Sequence, residues 1–303
     1  MSKYLFSLTI ILSILFGLLL PEVSLLWKDY LNPLLALLMF FSALRVEKRE
    51  LGKVDVKGLL VLLSLVFVMM PLLSLPFKFS EPMSFVGVLF ALSSPSAAAT
   101  PFFVSFLGGD IALGVLVSFL SSLLSFLTIP LTIQLLAGAV VQVDNNKILG
   151  LLVEVILIPI SAAFLTKKLF RRVAEKINKH RDYQLIVMLL LAWGIFGVSH
   201  TAIANNELKL LELTALLLLI LLFGGVVAYF LGRRYGKKTA VTFFVATSVK
   251  NAMLSFAIVL KLFGVAAAIP MVANLLAQLL IMVSLEIFGE KLAALFQSSA
   301  GIH

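Results

Sequence analysis

Lys250 stands in the middle of an apolar run from Thr239 to Leu262, within Ala246-Thr247-Ser248-Val249-Lys250-Asn251. At about 1.5 Å of rise per helical residue, this position is near the centre of a ~30 Å hydrocarbon layer. A cation there costs roughly 2.5–3.5 kcal/mol on insertion scales, so it must face protein or water and marks a functional position. Thr247, Ser248 and Asn251 offer side-chain oxygens beside it. An earlier run holds a companion stretch, Ser93-Ser94-Pro95-Ser96-Ala97-Ala98-Ala99-Thr100-Pro101. Its hydroxyls sit between two prolines, and each proline can break a helix and free carbonyls. Half-helix ends carry partial charges of both signs, so a pair of breaks can hold an ion or an anionic substrate. The plainer alternatives are a proline kink with serines packed between helices, and a structural Lys250 paired with a buried acid or a helix C-terminus. The occurrence of one break in each half of the chain favours a binding site. Its candidate residues are Pro95, Ser96, Thr100, Pro101, Thr247, Ser248 and Asn251.

Other polar residues have weaker claims. Ser118, Ser122 and Ser125 share a helical face, as helix packing would require, and Ser118 is the nearest of them to the first break. Asp110 follows Gly108-Gly109 and reads as a helix N-cap. Glu154 is expected some way inside its segment, as a wall of an outward-facing cavity or as a charge partner of Lys250. Glu286 is expected nearer an interface. No catalytic arrangement and no metal site is expected.

The elements that must position these residues are membrane spans. The chain is 61% hydrophobic and 13% charged, with a net charge of +9; its mean hydropathy is +1.13. A soluble domain is about a quarter charged. The apolar runs are continuous rather than alternating, which excludes an outer-membrane barrel. The absence of cysteine removes disulfides and thiolate chemistry. Ten apolar segments are read, at 4–20, 30–44, 58–76, 83–106, 110–137, 147–166, 183–201, 209–231, 238–262 and 266–289. The first lacks a small-residue cleavage site before Pro21 and is kept as a span. Loops rich in cations (Arg45–Lys57, Lys167–Arg181, Arg233–Lys238, with Lys3 and Lys291 at the ends) alternate with loops holding Lys28, Lys78, Lys147, Lys209 and Lys261. This alternation predicts both termini on the cytoplasmic side of an inner or plasma membrane. It also accounts for the positive charge without nucleic acid. The predicted fold is all-α and polytopic, with two five-span halves, 1–137 and 138–303. Five is odd, so the halves must have inverted topology, with the fourth span of each broken.

These residues resemble the bile acid:sodium symporter family. Pro95-Ser96-Ala97-Ala98-Ala99-Thr100-Pro101 through Gly109-Asp110-Ile111-Ala112-Leu113, with Ser121-Ser122-Leu123-Leu124 and Thr128-Ile129-Pro130-Leu131, looks like its fourth and fifth helices. Ser248-Val249-Lys250-Asn251-Ala252-Met253-Leu254 looks like its ninth, and Met39-Phe40-Phe41-Ser42-Ala43-Leu44 like the end of its second. The resemblance implies ten helices in two inverted repeats. Helices 3–5 and 8–10 would form a core, crossing at broken helices 4 and 9, and helices 1, 2, 6 and 7 a panel. It also implies sodium coupling, but the positions matching the family's sodium ligands depart from the pattern. Those for one ion are Thr100, Pro101, Gly114, Ser118 and Ala246; those for a second are Ala246, Val66 and Lys250. The expectation is therefore a secondary transporter of small organic anions by alternating access, independent of sodium and without a cofactor, in which Lys250 replaces the ions. Ketoacids, pantoate-like acids and sterol-like anions fit as substrates. The competing readings are ordinary sodium or proton symport or exchange, with Lys250 proton-linked in the latter, and a non-transporting membrane sensor or scaffold. The oligomeric state is left open.

Overall fold

Continuously apolar segments become helices because a helix satisfies every backbone donor and acceptor internally, as the hydrocarbon layer requires. The structure, a computed structural model, describes residues 5–46, 54–79, 81–138, 144–179, 182–264 and 267–298. Lys3, Lys48, Arg49, Lys53 and Arg181, which enter the orientation argument, lie outside the described residues, as do both chain ends.

The first half contains α1 (Leu5–Leu19), α2 (Pro21–Leu44), α3 (Val56–Lys78), α4 (Pro82–Ser93), α5 (Thr100–Phe106) and α6 (Ile111–Ala137). The second contains α7 (Asn146–Leu169), α8 (Arg171–Lys179), α9 (Asp182–Val198), α10 (Glu207–Gly232), α11 (Lys237–Ser248), α12 (Ala252–Phe263) and α13 (Ala268–Ser298). A short turn of helix, His200–Ala204, follows α9. No strand occurs among the described residues.

Helix starts are written in the sequence as Asx caps. Asp55 accepts from the Lys57 and Gly58 amides, Asp110 from Leu113, Asp144 from Asn146 and Lys147, and Asn251 from Leu254. Each such cap is worth about 1 kcal/mol. Between α5 and α6 the chain turns at Gly108, whose φ of 72° is a left-handed conformation open to glycine.

Among the described residues, six helices are long and apolar enough to cross a membrane: α2, α3, α6, α7, α10 and, within α13, Ile269–Gly289. Their outward faces are apolar too. Leu127, Leu131 and Leu135 recur at helical spacing on the outside of α6, and Leu208, Leu211, Leu219, Phe223 and Phe230 on α10. An apolar belt of this extent belongs in lipid. The protein is a polytopic helical membrane protein. The 12-residue helices α4, α11 and α12 rise only about 18 Å each. None crosses the layer alone.

Close contacts pair the helices. α1 lies on α9, and α2 on α7 and α9. Elsewhere α10 lies on α11 and α13, α13 on α4 and α12, and α6 on α4, α5 and α11. α3 and α7 each carry a π-turn followed by a proline: Leu65–Met69 before Pro71, and Val153–Leu157 before Pro159. A proline has no N–H, so the ladder must skip a partner near it.

Candidate functional site

The two interrupted stretches meet. α4 stops at Ser93, and Ser94 turns extended (φ −61°, ψ 146°), as the residue before a proline is driven to do. In the second half α11 stops at Ser248 and Val249 is extended (φ −98°, ψ 98°). Ser96 and Lys250 then pair as an isolated antiparallel bridge. The Ala97 amide donates to the Val249 carbonyl at 2.9 Å, and the Asn251 amide to the Pro95 carbonyl at 2.8 Å. The breaks thus satisfy each other's main chains across the crossing. Pro101 sits in the first turn of α5, where its missing N–H costs nothing.

Side chains complete the joint. The Ser96 amide donates to the Ser121 hydroxyl at 3.1 Å, and the Ser96 and Thr100 hydroxyls are 2.9 Å apart. The Ser94 and Ser255 hydroxyls are in close contact. The Lys250 amide donates to Oε1 of Gln278 at 3.1 Å. Asn251 Oδ1 caps α12 at the Leu254 amide, 3.2 Å away. Thr247 Oγ1 and Ser248 Oγ are buried without a hydrogen-bond partner among the described residues. Gly225 admits Ser248 so closely that a Cβ there would collide with the serine hydroxyl and lie 3.0 Å from the Phe244 ring.

Lys250 is 1% exposed. Its Nζ donates to the Val66 carbonyl at 3.2 Å, and no carboxylate pairs with it among the described residues. The local geometry of α3 explains why that carbonyl is available. The Met70 amide, four residues on, bonds Leu65 instead. The fifth residue on is Pro71, which has no N–H. The ammonium therefore takes a carbonyl whose α- and π-helical donors are both missing.

Around this point lie the other positions at which the sequence departs from the sodium ligands of the family it resembles. Ala246 is buried in an apolar cluster with Val66, Val117, Ala228 and Phe243. Gly114 has no side chain, and Ser118 Oγ donates to the Gly114 carbonyl at 2.8 Å. The Pro101 side chain is an apolar ring, and the Thr100 hydroxyl is engaged by Ser96.

A cavity of about 490 Å³ lies beside the joint. Its wall draws Ser42 and Arg45 from the end of α2, Ala98 to Phe102 apart from Thr100, Ser118 and Phe119 from α6, Asn178 from α8, and Gln184 and Met188 from α9. Of the candidate residues, Pro101 and Ser118 line it. Pro95, Ser96, Thr100, Thr247, Ser248 and Asn251 are instead buried in the crossing and do not line it.

Two expectations about acids need correction. Glu154 is not a partner of Lys250: it is half-exposed and pairs with Lys261 of α12 at 3.4 Å. Lys261 lies eleven residues beyond Lys250, about three turns along α12. Glu286 does not reach an interface but is 1% exposed inside α13. Asp110 is the cap it was expected to be, with its carboxylate 3.1 Å from the Leu113 amide. Sequence reasoning missed Gln278 and Asn274, although two amides four residues apart in an apolar run were a visible signal. It also missed Pro71, whose consequence shows only when Lys250 is seen opposite.

An all-helical chain with an apolar outside, two broken helices joined by main-chain bonds and a cavity beside the joint has the architecture of a membrane carrier. The chain belongs to the sodium bile acid symporter family, whose model matches residues 32–209. The second break lies beyond the matched stretch. Over 233 residues the chain is 24% identical to the uncharacterized sodium-dependent transporter YocS of Bacillus subtilis (strain 168), covering 75% of this chain and 70% of that protein. Over 222 residues it is 24% identical to the "Probable sodium/metabolite cotransporter BASS3, chloroplastic" of Oryza sativa subsp. japonica, covering 71% of this chain and half of that protein. The protein is a membrane transporter.

Proposed function

We propose that this transporter moves small organic anions by alternating access without sodium, Lys250 supplying the positive charge at the crossing. The observation that carries the reading is the buried Lys250 ammonium on the Val66 carbonyl, with no carboxylate beside it among the described residues. Two unit charges 4 Å apart repel by about 4 kcal/mol at an effective dielectric of 20, so a protonated Lys250 opposes a neighbouring sodium ion. Ala246 leaves nothing to offset that repulsion.

The same reading takes the chain as ten spans in inverted halves, 1–137 and 138–303, with both termini cytoplasmic in the inner or plasma membrane. The pairs α4–α5 and α11–α12 each make one broken span. The packing group α1, α2, α7 and α9 is the panel, and the remaining spans form the core. The cavity lies between the two, with Arg45 at its cation-rich end, and an anionic substrate there contacts Pro101 and Ser118 while the crossing stays shut behind it. Sodium or proton symport is the second reading. The names of both relatives favour sodium, and an intramembrane lysine that exchanges its proton favours the other.

A thermal-shift screen of carboxylates, with sodium and with choline, identifies a ligand, because binding to the folded form raises its stability. Uptake of that ligand into proteoliposomes should then be equal in sodium and in choline. A clear requirement for sodium overturns the proposal in favour of ordinary symport, and acceleration by an imposed proton gradient assigns the coupling to Lys250.

A further inference from the structure

α7 ends in an exposed apolar collar, Phe164, Leu165, Leu169 and Phe170. The chain breaks at Phe170 (φ −128°, ψ 53°), and α8 leaves in a new direction, at 66° to α9. α8 begins where the exposed apolar collar of α7 ends. Its inner face, Ala174, Ile177 and Asn178, packs on the end of α2. There Asn178 Nδ2 donates to the Leu44 carbonyl at 2.9 Å. Lys167 donates to the Ala43 carbonyl at 3.3 Å and to that of Val46.

The outer face is divided by charge. Arg171 and Glu175, one turn apart, form an ion pair at 2.8 Å. Arg172 and Lys176 have the same spacing, but both are cations, exposed, with no acid in a bridge to either among the described residues. Like charges a turn apart repel and weaken a helix. An anion placed between the two would relieve that repulsion. The apolar Val173, half exposed, adjoins Lys176 on the helix surface. Two cations beside an apolar side chain, at the edge of an apolar belt, match the headgroup and upper acyl chains of an anionic phospholipid.

We propose that Arg172 and Lys176 hold the phosphate of an anionic phospholipid, with Val173 and the Leu169–Phe170 collar against its chains. The lipid neutralises the repelling pair and fixes α8, which in turn caps α2 and contributes Asn178 to the cavity wall. Lipid composition thereby reaches the cavity without a ligand entering it. The proposal stands on the α8 surface alone and does not depend on the identity or coupling of the transported substrate.

The test uses the full chain in nanodiscs of phosphatidylcholine with increasing phosphatidylglycerol, retained lipid being counted by native mass spectrometry. Wild type should retain phosphatidylglycerol selectively, and Arg172→Gln/Lys176→Gln should lose affinity for it by on the order of tenfold or more. A charge-matched control, Lys237→Gln/Lys238→Gln, removes two exposed cations elsewhere and should bind as wild type does. Hydrogen exchange at the end of α2 should slow with phosphatidylglycerol in wild type and control alone. Equal retention by wild type and the α8 variant overturns the proposal, as does equal loss in the control. Protection of α8 by inorganic phosphate in pure phosphatidylcholine, with no added effect of phosphatidylglycerol, also overturns it, in favour of a soluble anion.

Discussion

The contact between Lys250 and Val66 can be tested from both of its ends. Lys250→Met keeps the length and the apolar stem while deleting the charge. Pro71→Ala leaves the lysine but supplies an N–H five residues beyond Val66, where a π-turn donor would stand, so that the backbone competes for the same carbonyl. Placing an ammonium at mid-layer costs roughly 2.5–3.5 kcal/mol. A hydrogen bond from a charged donor returns about 1.5–3 kcal/mol. The two nearly cancel. Lys250→Met should therefore lie within about 2 kcal/mol of wild type and shift the melting temperature by a few degrees, as replacement of a buried charge by an apolar side chain often does. Uptake should nevertheless fall at least tenfold in both variants, because the positive charge at the crossing is removed in one and displaced in the other. The assay is initial uptake of the screened carboxylate into proteoliposomes in choline medium, alongside melting curves of the same preparations. If both variants transport at the wild-type rate, the link is not part of the cycle. If Lys250→Met unfolds the protein, the cost and the bond do not cancel and the magnitude argument is wrong.

The pair Ala246→Glu/Lys250→Gln exchanges an apolar side chain for a carboxylate and removes the ammonium; it should acquire a sodium-dependent rise in melting temperature that wild type lacks, read by titrating sodium against choline. Arg45→Gln, at the cationic end of the cavity, should raise the KM for an anionic substrate about tenfold, the worth of one charge-assisted hydrogen bond, with little change in kcat. The hydrogen bond and charge of Lys209 hold the Glu81 carboxyl below the usual carboxylate range. A depressed pKa contributes stability that is present above the unfolded value and lost as pH falls through the folded one; Glu81→Gln should flatten this acid limb in melting curves, and only slightly, since the pair is exposed.

Much of the fold was legible because the hydrocarbon layer imposes a simple rule on sequence. Ser94 before Pro95 announced one break, and Lys250 in an apolar run announced that the second held something unusual. The interrupted stretches were visible as polar and proline insertions, and their meeting followed from one lying in each half. Partners were not legible. Glu154 reads as a buried acid when depth is counted along the chain, yet its side chain is half-exposed and meets the equally exposed Lys261. The Val66 carbonyl was invisible because its availability depends on a π-turn, a backbone detail with no side-chain signature. The cavity wall was missed for a related reason. Ser42, Asn178 and Gln184 come from three helices, and no spacing within one segment relates them. Thr100 and Asn251 carried the more suggestive side chains, but the crossing consumed them as structure.

The crossing is joined by main-chain atoms: Ala97 to Val249, Asn251 to Pro95. Every residue with an N–H and a carbonyl can make those bonds. The seam therefore depends less on the side chains that project from it than on Pro95 holding Ser94 extended. The proposal that a tethered amine stands in for a bound ion asks no more than a change of side chain at a seam whose main-chain joint is kept. What the site carries and how it is driven are thus separable from what holds it shut.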